Sequence, residues 1–143
     1  SVVGFKEGSN DMKRYEENVR ALRACSRKTS ILTTNNTWHM ACLTLDSDGI
    51  ISGSGSVIAD LLVQLWEAVE AGNLKQARQV NDRIFPITQV FYENPLMNMH
   101  NRMKVALQLL GRQKKAIPRP PLLPIKNDER EKIRRALQQA GLL

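Results

Sequence analysis

The sequence predicts an α/β first half and an all-helical second half, on three observations. Short β-branched runs alternate with helix-period segments, strand then helix, three times before Gly72. The intervening segments are long enough to be crossovers between parallel strands. After Gly72 no strand pattern recurs, so residues 1–72 read as the α/β part and residues 73–143 as a helical extension.

Ser1-Val2-Val3-Gly4-Phe5-Lys6 is an apolar run closed by the turn cluster Glu7-Gly8-Ser9-Asn10-Asp11, the pattern of a buried strand entering a loop. It starts with no polar lead-in, as a chain entered inside a strand would. Residues 11–27 place Met12, Tyr15, Val19, Leu22 and Cys25 near one helix face, with Ser9, Asn10 or Asp11 as N-cap. Ser30-Ile31-Leu32-Thr33 is the second strand, Thr34-Asn35-Asn36 a polar turn, and residues 38–45 a short helix stopped by Asp46-Ser47-Asp48-Gly49. Gly49-Ile50-Ile51-Ser52 is the third strand, entering Gly53-Ser54-Gly55-Ser56 and a long helix over 57–72.

In the extension, Asn73 opens a helix that Pro86 should break, with residues 87–93 continuing beyond it. Met99 to Leu110 is an amphipathic helix ended by Gly111. The prolines of Pro118-Arg119-Pro120-Pro121-Leu122-Leu123-Pro124 remove donors and fix φ, which predicts an extended segment. Asn127-Asp128-Glu129 should cap a last helix over 129–140, with Gly141 as its stop.

At 143 residues and 42% hydrophobic, the chain can bury one domain-sized core. No apolar run approaches the roughly 18 residues of a membrane span, and no secretory signal pattern opens the chain. The two cysteines, Cys25 and Cys42, fit no paired-ligand spacing and read as structural thiols of a reducing cytoplasm. The net charge of +7 is C-terminal: residues 1–98 hold ten Lys+Arg against eleven Asp+Glu, and residues 99–143 eleven against three. These cations are interleaved with apolar residues at helical spacing, and no aromatic residue follows Tyr92 to stack on bases, which argues against nucleic-acid binding.

Lys6 carries the most chemistry. An ammonium ending an apolar strand is poorly tolerated unless it is paired, deprotonated or chemically used, and desolvation would free its amine to attack a carbonyl carbon. The competing reading is a lysine hydrated on a turn. Ile51-Ser52-Gly53-Ser54-Gly55-Ser56 has the look of a dinucleotide turn but lacks the third glycine at Ile58, leaving a small-residue turn that could offer amides to a carboxylate or phosphate. His39 and His100 lack neighbouring ligands at metal spacing and read as structural, so no metal is expected. Asn35-Asn36-Thr37 matches a glycosylation acceptor only by chance.

Val3-Gly4-Phe5-Lys6-Glu7 resembles the Schiff-base strand of the dihydrodipicolinate synthase and N-acetylneuraminate lyase family, and Gly49-Ile50-Ile51-Ser52 its last barrel strand. Between them, Leu32-Thr33-Thr34-Asn35-Asn36 is similar to a Leu-Ser-Gly-Asp-Asp-like segment. Downstream, residues 71–78, Arg102-Met103-Lys104 with Leu110-Gly111, and Arg119-Pro120-Pro121-Leu122 resemble the family's helical C-terminal signatures. The resemblance implies the C-terminal part of a TIM (β/α)8 barrel, its last three strands, followed by a helical extension.

It further implies a class I lyase acting on pyruvate or a related 2-oxo acid, with Lys6 as the catalytic nucleophile, no cofactor, and Thr34, Asn35, Ile51 and Ser52 as substrate-binding residues. Implied partners are the missing N-terminal half of the barrel and further copies in a tetramer or dimer. Thr34 stands where a glycine is common, and Asn35-Asn36 replace one or two carboxylates. Together with Ser52 these would suit a sugar-acid chain, so a 2-keto-3-deoxy sugar acid dehydratase, aldolase or deaminase is an alternative. Tyr15 and Tyr92 match neither the family's proton-relay tyrosine nor its threonine pair. A reading of another class is a noncatalytic helical interaction fragment.

Overall fold

The computed structural model describes residues 2–143; Ser1, which opens the first expected strand, lies outside them. Three strands, Gly4–Glu7 (β1), Ser30–Thr33 (β2) and Gly49–Ile50 (β3), form one parallel sheet in the order β1-β2-β3. Met12–Arg23 (α1) and His39–Thr44 (α2) are the crossovers, and Gly55–Glu70 (α3), Leu74–Phe91 (α4), Met99–Leu109 (α5) and Asn127–Gln139 (α6) follow. Gly4 pairs with Ser30, Lys6 with Leu32, and Leu32 with Gly49. No helix among the described residues is long and apolar enough to cross a membrane.

The sheet is covered on one face only. Side chains alternate along a strand, and Ile31 and Thr33 are fully buried against a small cluster of Tyr15, Val19 and Cys42 from α1 and α2. The Tyr15 hydroxyl donates to Cys42 O at 2.8 Å, tying the two crossovers together. On the opposite face Lys6 and Ser30 are exposed, and Ile51 is 45% exposed. A larger core links α2 to α6, with Leu61 and Leu65 of α3 against Val80 and Ile84 of α4 and Ile133 of α6. It runs continuously across Gly72, whose φ of +67° closes α3 in a Schellman turn through Asn73 N to Ala68 O at 2.8 Å.

Several boundaries differ from expectation for local reasons. Asp11 is the N-cap of α1, accepting from Arg14 N at 3.1 Å, but the helix ends at Arg23 rather than 27, and Cys25 is exposed beyond it. β3 stops at Ile50, although Ile51 N still donates to Thr33 O at 2.8 Å. α3 begins at Gly55 and kinks at Ile58, where Arg112 Nη1 donates to the Val57 carbonyl at 2.6 Å.

Pro86 does not break α4. The helix is continuous because Ile84, Ile87 and Phe91 anchor it on both sides, while Asp82, whose carbonyl Pro86 cannot serve, is exposed to water. The proline-rich segment is not simply extended: Leu122 N donates to Arg119 O in a turn. α6 starts at Asn127, two residues before the expected first helical residue Glu129, so the expected capping residues lie inside the helix and Lys126 is the N-cap, with no side-chain cap bond. Arg102, one of the cations interleaved with apolar residues in the sequence, is 1% exposed: it donates to the carbonyls of Phe91 and Glu93 and pairs with Glu129 at 2.6 Å.

Candidate active site

Lys6 is the third of the four residues of β1, not its last, and pairs in register with Leu32. By strand alternation it shares the uncovered face with Gly4, Ser30 and Leu32, near the C-terminal ends of all three strands. Its ammonium is exposed. The apolar surroundings expected from the sequence are therefore not supplied by this chain, because the face to which Lys6 belongs is bare.

Glu7 points the other way and is 2% exposed. Its Oε2 accepts from Asn35 Nδ2 at 2.7 Å, and its Oε1 from Asn18 Nδ2 and Ser9 N, each at 3.2 Å. Burial alone would raise the carboxyl pKa; the donors from Asn35, Ser9 and Asn18 outweigh it and hold the pKa below its usual value. Asn35 is itself 2% exposed, and its Oδ1 accepts from Asn10 N at 2.8 Å. Its carboxamide is thus occupied behind the sheet rather than offered beside Lys6.

Thr34 lines a pocket of about 440 Å³ together with Gly8, Asn36, Tyr92 and Met99. A Cβ on Gly8 would lie 2.4 Å from Thr34 Cγ2, so a side chain there would force the Thr34 methyl to move. The Ser52 hydroxyl lies 2.5 Å from Asn36 Oδ1 and 2.7 Å from Ser54 Oγ. The Tyr92 hydroxyl, from the C-terminal end of α4, is 3.0 Å from Ser54 N and 3.3 Å from Ser52 Oγ.

The small-residue turn is no anion cradle: Ser54 N is held by Tyr92 and Ser52, Gly55 N by Ser52 O at 3.1 Å, and Ser56 N by Gly53 O at 3.1 Å. His39 is a core residue, 1% exposed, with neither ring nitrogen hydrogen-bonded, and burial pushes its pKa down to about 4. His100 is exposed.

The Dihydrodipicolinate synthetase family model matches residues 1–140. The chain belongs to this family. Within it, the chain is 31% identical over 145 residues to the 4-hydroxy-tetrahydrodipicolinate synthase of Syntrophus aciditrophicus, covering 100% of itself and 47% of that relative. The corresponding enzyme of Thermodesulfovibrio yellowstonii is 28% identical over 144 residues, 99% of this chain and 46% of the relative. The crystal structure of dihydrodipicolinate synthase from Thermotoga maritima superposes with a TM-score of 0.87 at 27% identity, over 99% of this chain and 47% of that one. The chain spans about half the length of the relatives it matches.

The structure brings Thr34 and Ser52 toward one pocket through Asn36 and Tyr92, leaves Ile51 exposed on the Lys6 face, and turns Asn35 away. Two participants are hard to find by sequence. Glu7 resembles a turn residue, yet it follows Lys6 in a strand and must therefore point into the helix layer. Tyr92 lies 40 positions from Ser52, and its only signal is Gly53, where a Cβ would stand 3.5 Å from the Tyr92 hydroxyl and 3.2 Å from Met103 Cε.

Proposed function

We propose that residues 1–72 are the last three strands and helices of a (β/α)8 barrel, that residues 73–143 are its helical extension, and that the assembled barrel is a Schiff-base lyase acting on pyruvate or a related 2-oxo acid. The observation that carries this reading is Lys6 near the end of a parallel strand, on the uncovered face where a barrel interior would lie, in a chain matched to the family over residues 1–140.

The Lys6 amine adds to the C2 carbonyl of the 2-oxo acid, and loss of water from the carbinolamine gives the imine. Protonated, the imine is an electron sink: removal of a proton from C3 leaves an enamine, whose carbon attacks an aldehyde, and the reverse sequence cleaves that bond. Thr34, Ile51 and Ser52 border the substrate, and Asn35 holds the loop that carries Thr34. The acid–base groups come from the strands that complete the barrel. Those strands also cover the outer edges of β1 and β3, which are unpaired among the described residues. The working protein is a homo-oligomer of the cytoplasm.

The test is borohydride trapping of the intact protein with pyruvate, followed by peptide mass spectrometry. A reduced adduct on Lys6 is expected. An unmodified Lys6 under conditions of turnover removes the Schiff-base assignment.

A further inference from the structure

Glu7 is a buried carboxylate whose hydrogen-bond donors are all neutral: Asn35 Nδ2, Asn18 Nδ2 and Ser9 N. An ion in such a place is costly and persists only if its lone pairs are met. The arrangement also has a direction. Asn35 donates through Nδ2 to Glu7 Oε2 and to Thr33 Oγ1 at 3.3 Å, and accepts through Oδ1 from Asn10 N. If the carboxamide flipped, its NH2 would face the Asn10 N–H. Through these bonds one carboxylate joins β1, α1, and the loops that follow β1 and β2.

We infer that Glu7 and Asn35 form a positioning pair behind the sheet: without touching substrate, they fix the end of β1 that carries Lys6 and the loop that carries Thr34. Lys6 and Glu7 are consecutive residues of one strand, so whatever clamps the Glu7 side chain fixes the backbone from which the Lys6 amine projects on the other face. Thr34 and Asn35 stand in the same relation on the neighbouring strand end. The inference rests on the Schiff-base reading of Lys6.

The polarity of the pair provides its test. Glu7→Gln places an NH2 at the Oε2 position, against the Asn35 NH2, and Asn35→Asp opposes two carboxylates. The combination E7Q/N35D restores the network: the bonds from position 35 to position 7 and to Thr33 run in the reverse sense, and those from Asn10, Asn18 and Ser9 keep theirs. The new carboxamide at position 7 keeps an oxygen for Asn18 and Ser9 and donates to the new carboxylate at position 35. That carboxylate accepts from Asn10 N and from the Thr33 hydroxyl.

In the intact protein, with saturating pyruvate and rates normalised to folded protein, each single variant should form the trapped Lys6 adduct about tenfold to a hundredfold more slowly, the scale of a misplaced reacting group. The double variant should return to within about threefold of wild type. Wild-type trapping rates in E7Q, or a double variant that recovers neither rate nor fold, overturn the pair. Absence of adduct in the wild type instead overturns the Schiff-base reading, so the two failures are distinguishable.

Discussion

The Tyr92 hydroxyl at the end of α4 lies 3.0 Å from the amide nitrogen of Ser54, just beyond β3. This bond joins the helical extension to the turn that follows the third strand. Gly53 packs closely beside it: a Cβ there would stand 3.2 Å from Met103 Cε, whose flexible end would have to give by a few tenths of an ångström, and 3.5 Å from the Tyr92 hydroxyl, an ordinary contact. Tyr92→Phe removes the hydroxyl and leaves the fully buried Ser54 with a single, longer bond from its amide to Ser52 Oγ at 3.2 Å. A loss of about 1 kcal/mol in denaturant unfolding is expected, together with a raised KM for the aldehyde that the enamine attacks, while Lys6 trapping by pyruvate persists.

Lys6→Ala and Lys6→Arg should each lower turnover by on the order of a thousandfold or more, since neither offers an amine nucleophile and the arginine stays charged. Lys6 is exposed in this chain, so truncating it removes little buried packing here and thermal unfolding should change little. Turnover close to wild type in either variant would contradict the proposed role.

His39 makes the fold sensitive to mild acid. It is neutral when folded, with a pKa held down to about 4 by burial, whereas the unfolded chain takes up a proton near the ordinary value of 6.5. Its contribution is therefore complete above the unfolded pKa and declines as pH falls toward 4, by about 2 kcal/mol between pH 7 and pH 5. Glu7, whose pKa is also lowered, contributes above the unfolded carboxylate value of 4.5 and loses that contribution only below it. His39→Leu forfeits no hydrogen bond and should flatten the pH 7 to pH 5 difference in urea unfolding.

Arg102 and Glu129 couple α5 to α6 and to the end of α4. Arg102→Met strips the Glu129 carboxylate and two backbone carbonyls of their donor, and should cost about 3 to 5 kcal/mol. Arg102→Met with Glu129→Met should recover part of that loss, because an apolar pair leaves no buried charge behind. Chemical denaturation of the four proteins of the cycle measures both.

Much of the fold is legible because it is periodic. The alternation that makes Ile31 and Thr33 inward-facing, and the helical spacing of Leu61, Leu65 and Ala68, are properties of consecutive residues, and the structure keeps them. What local pattern misjudges are residues whose partners are remote. Pro86 signals a break that the anchoring of Ile87 and Phe91 overrides, and Arg102 carries a surface-type charge that Glu129, 27 positions on, draws inside. At the site, Lys6 is conspicuous as an ammonium after β-branched residues. Asn35 is conspicuous for its loop position, yet the direction of its carboxamide depends on Glu7, 28 positions earlier, which no local pattern reveals.

The two buried clusters differ in size: Ile31 of β2 with Tyr15, Val19 and Cys42 beneath it, against eighteen residues shared by α2 to α6. Opening free energy follows buried apolar contact, so amides of β1 and α1 should exchange through local openings well below those of α3 to α6. The strand carrying Lys6 is then the part of the chain whose order depends most on what lies against it. A neighbouring strand that binds only the closed form would shift this equilibrium by mass action, so the population of chains with a correctly placed amine would rise with the concentration of that neighbour.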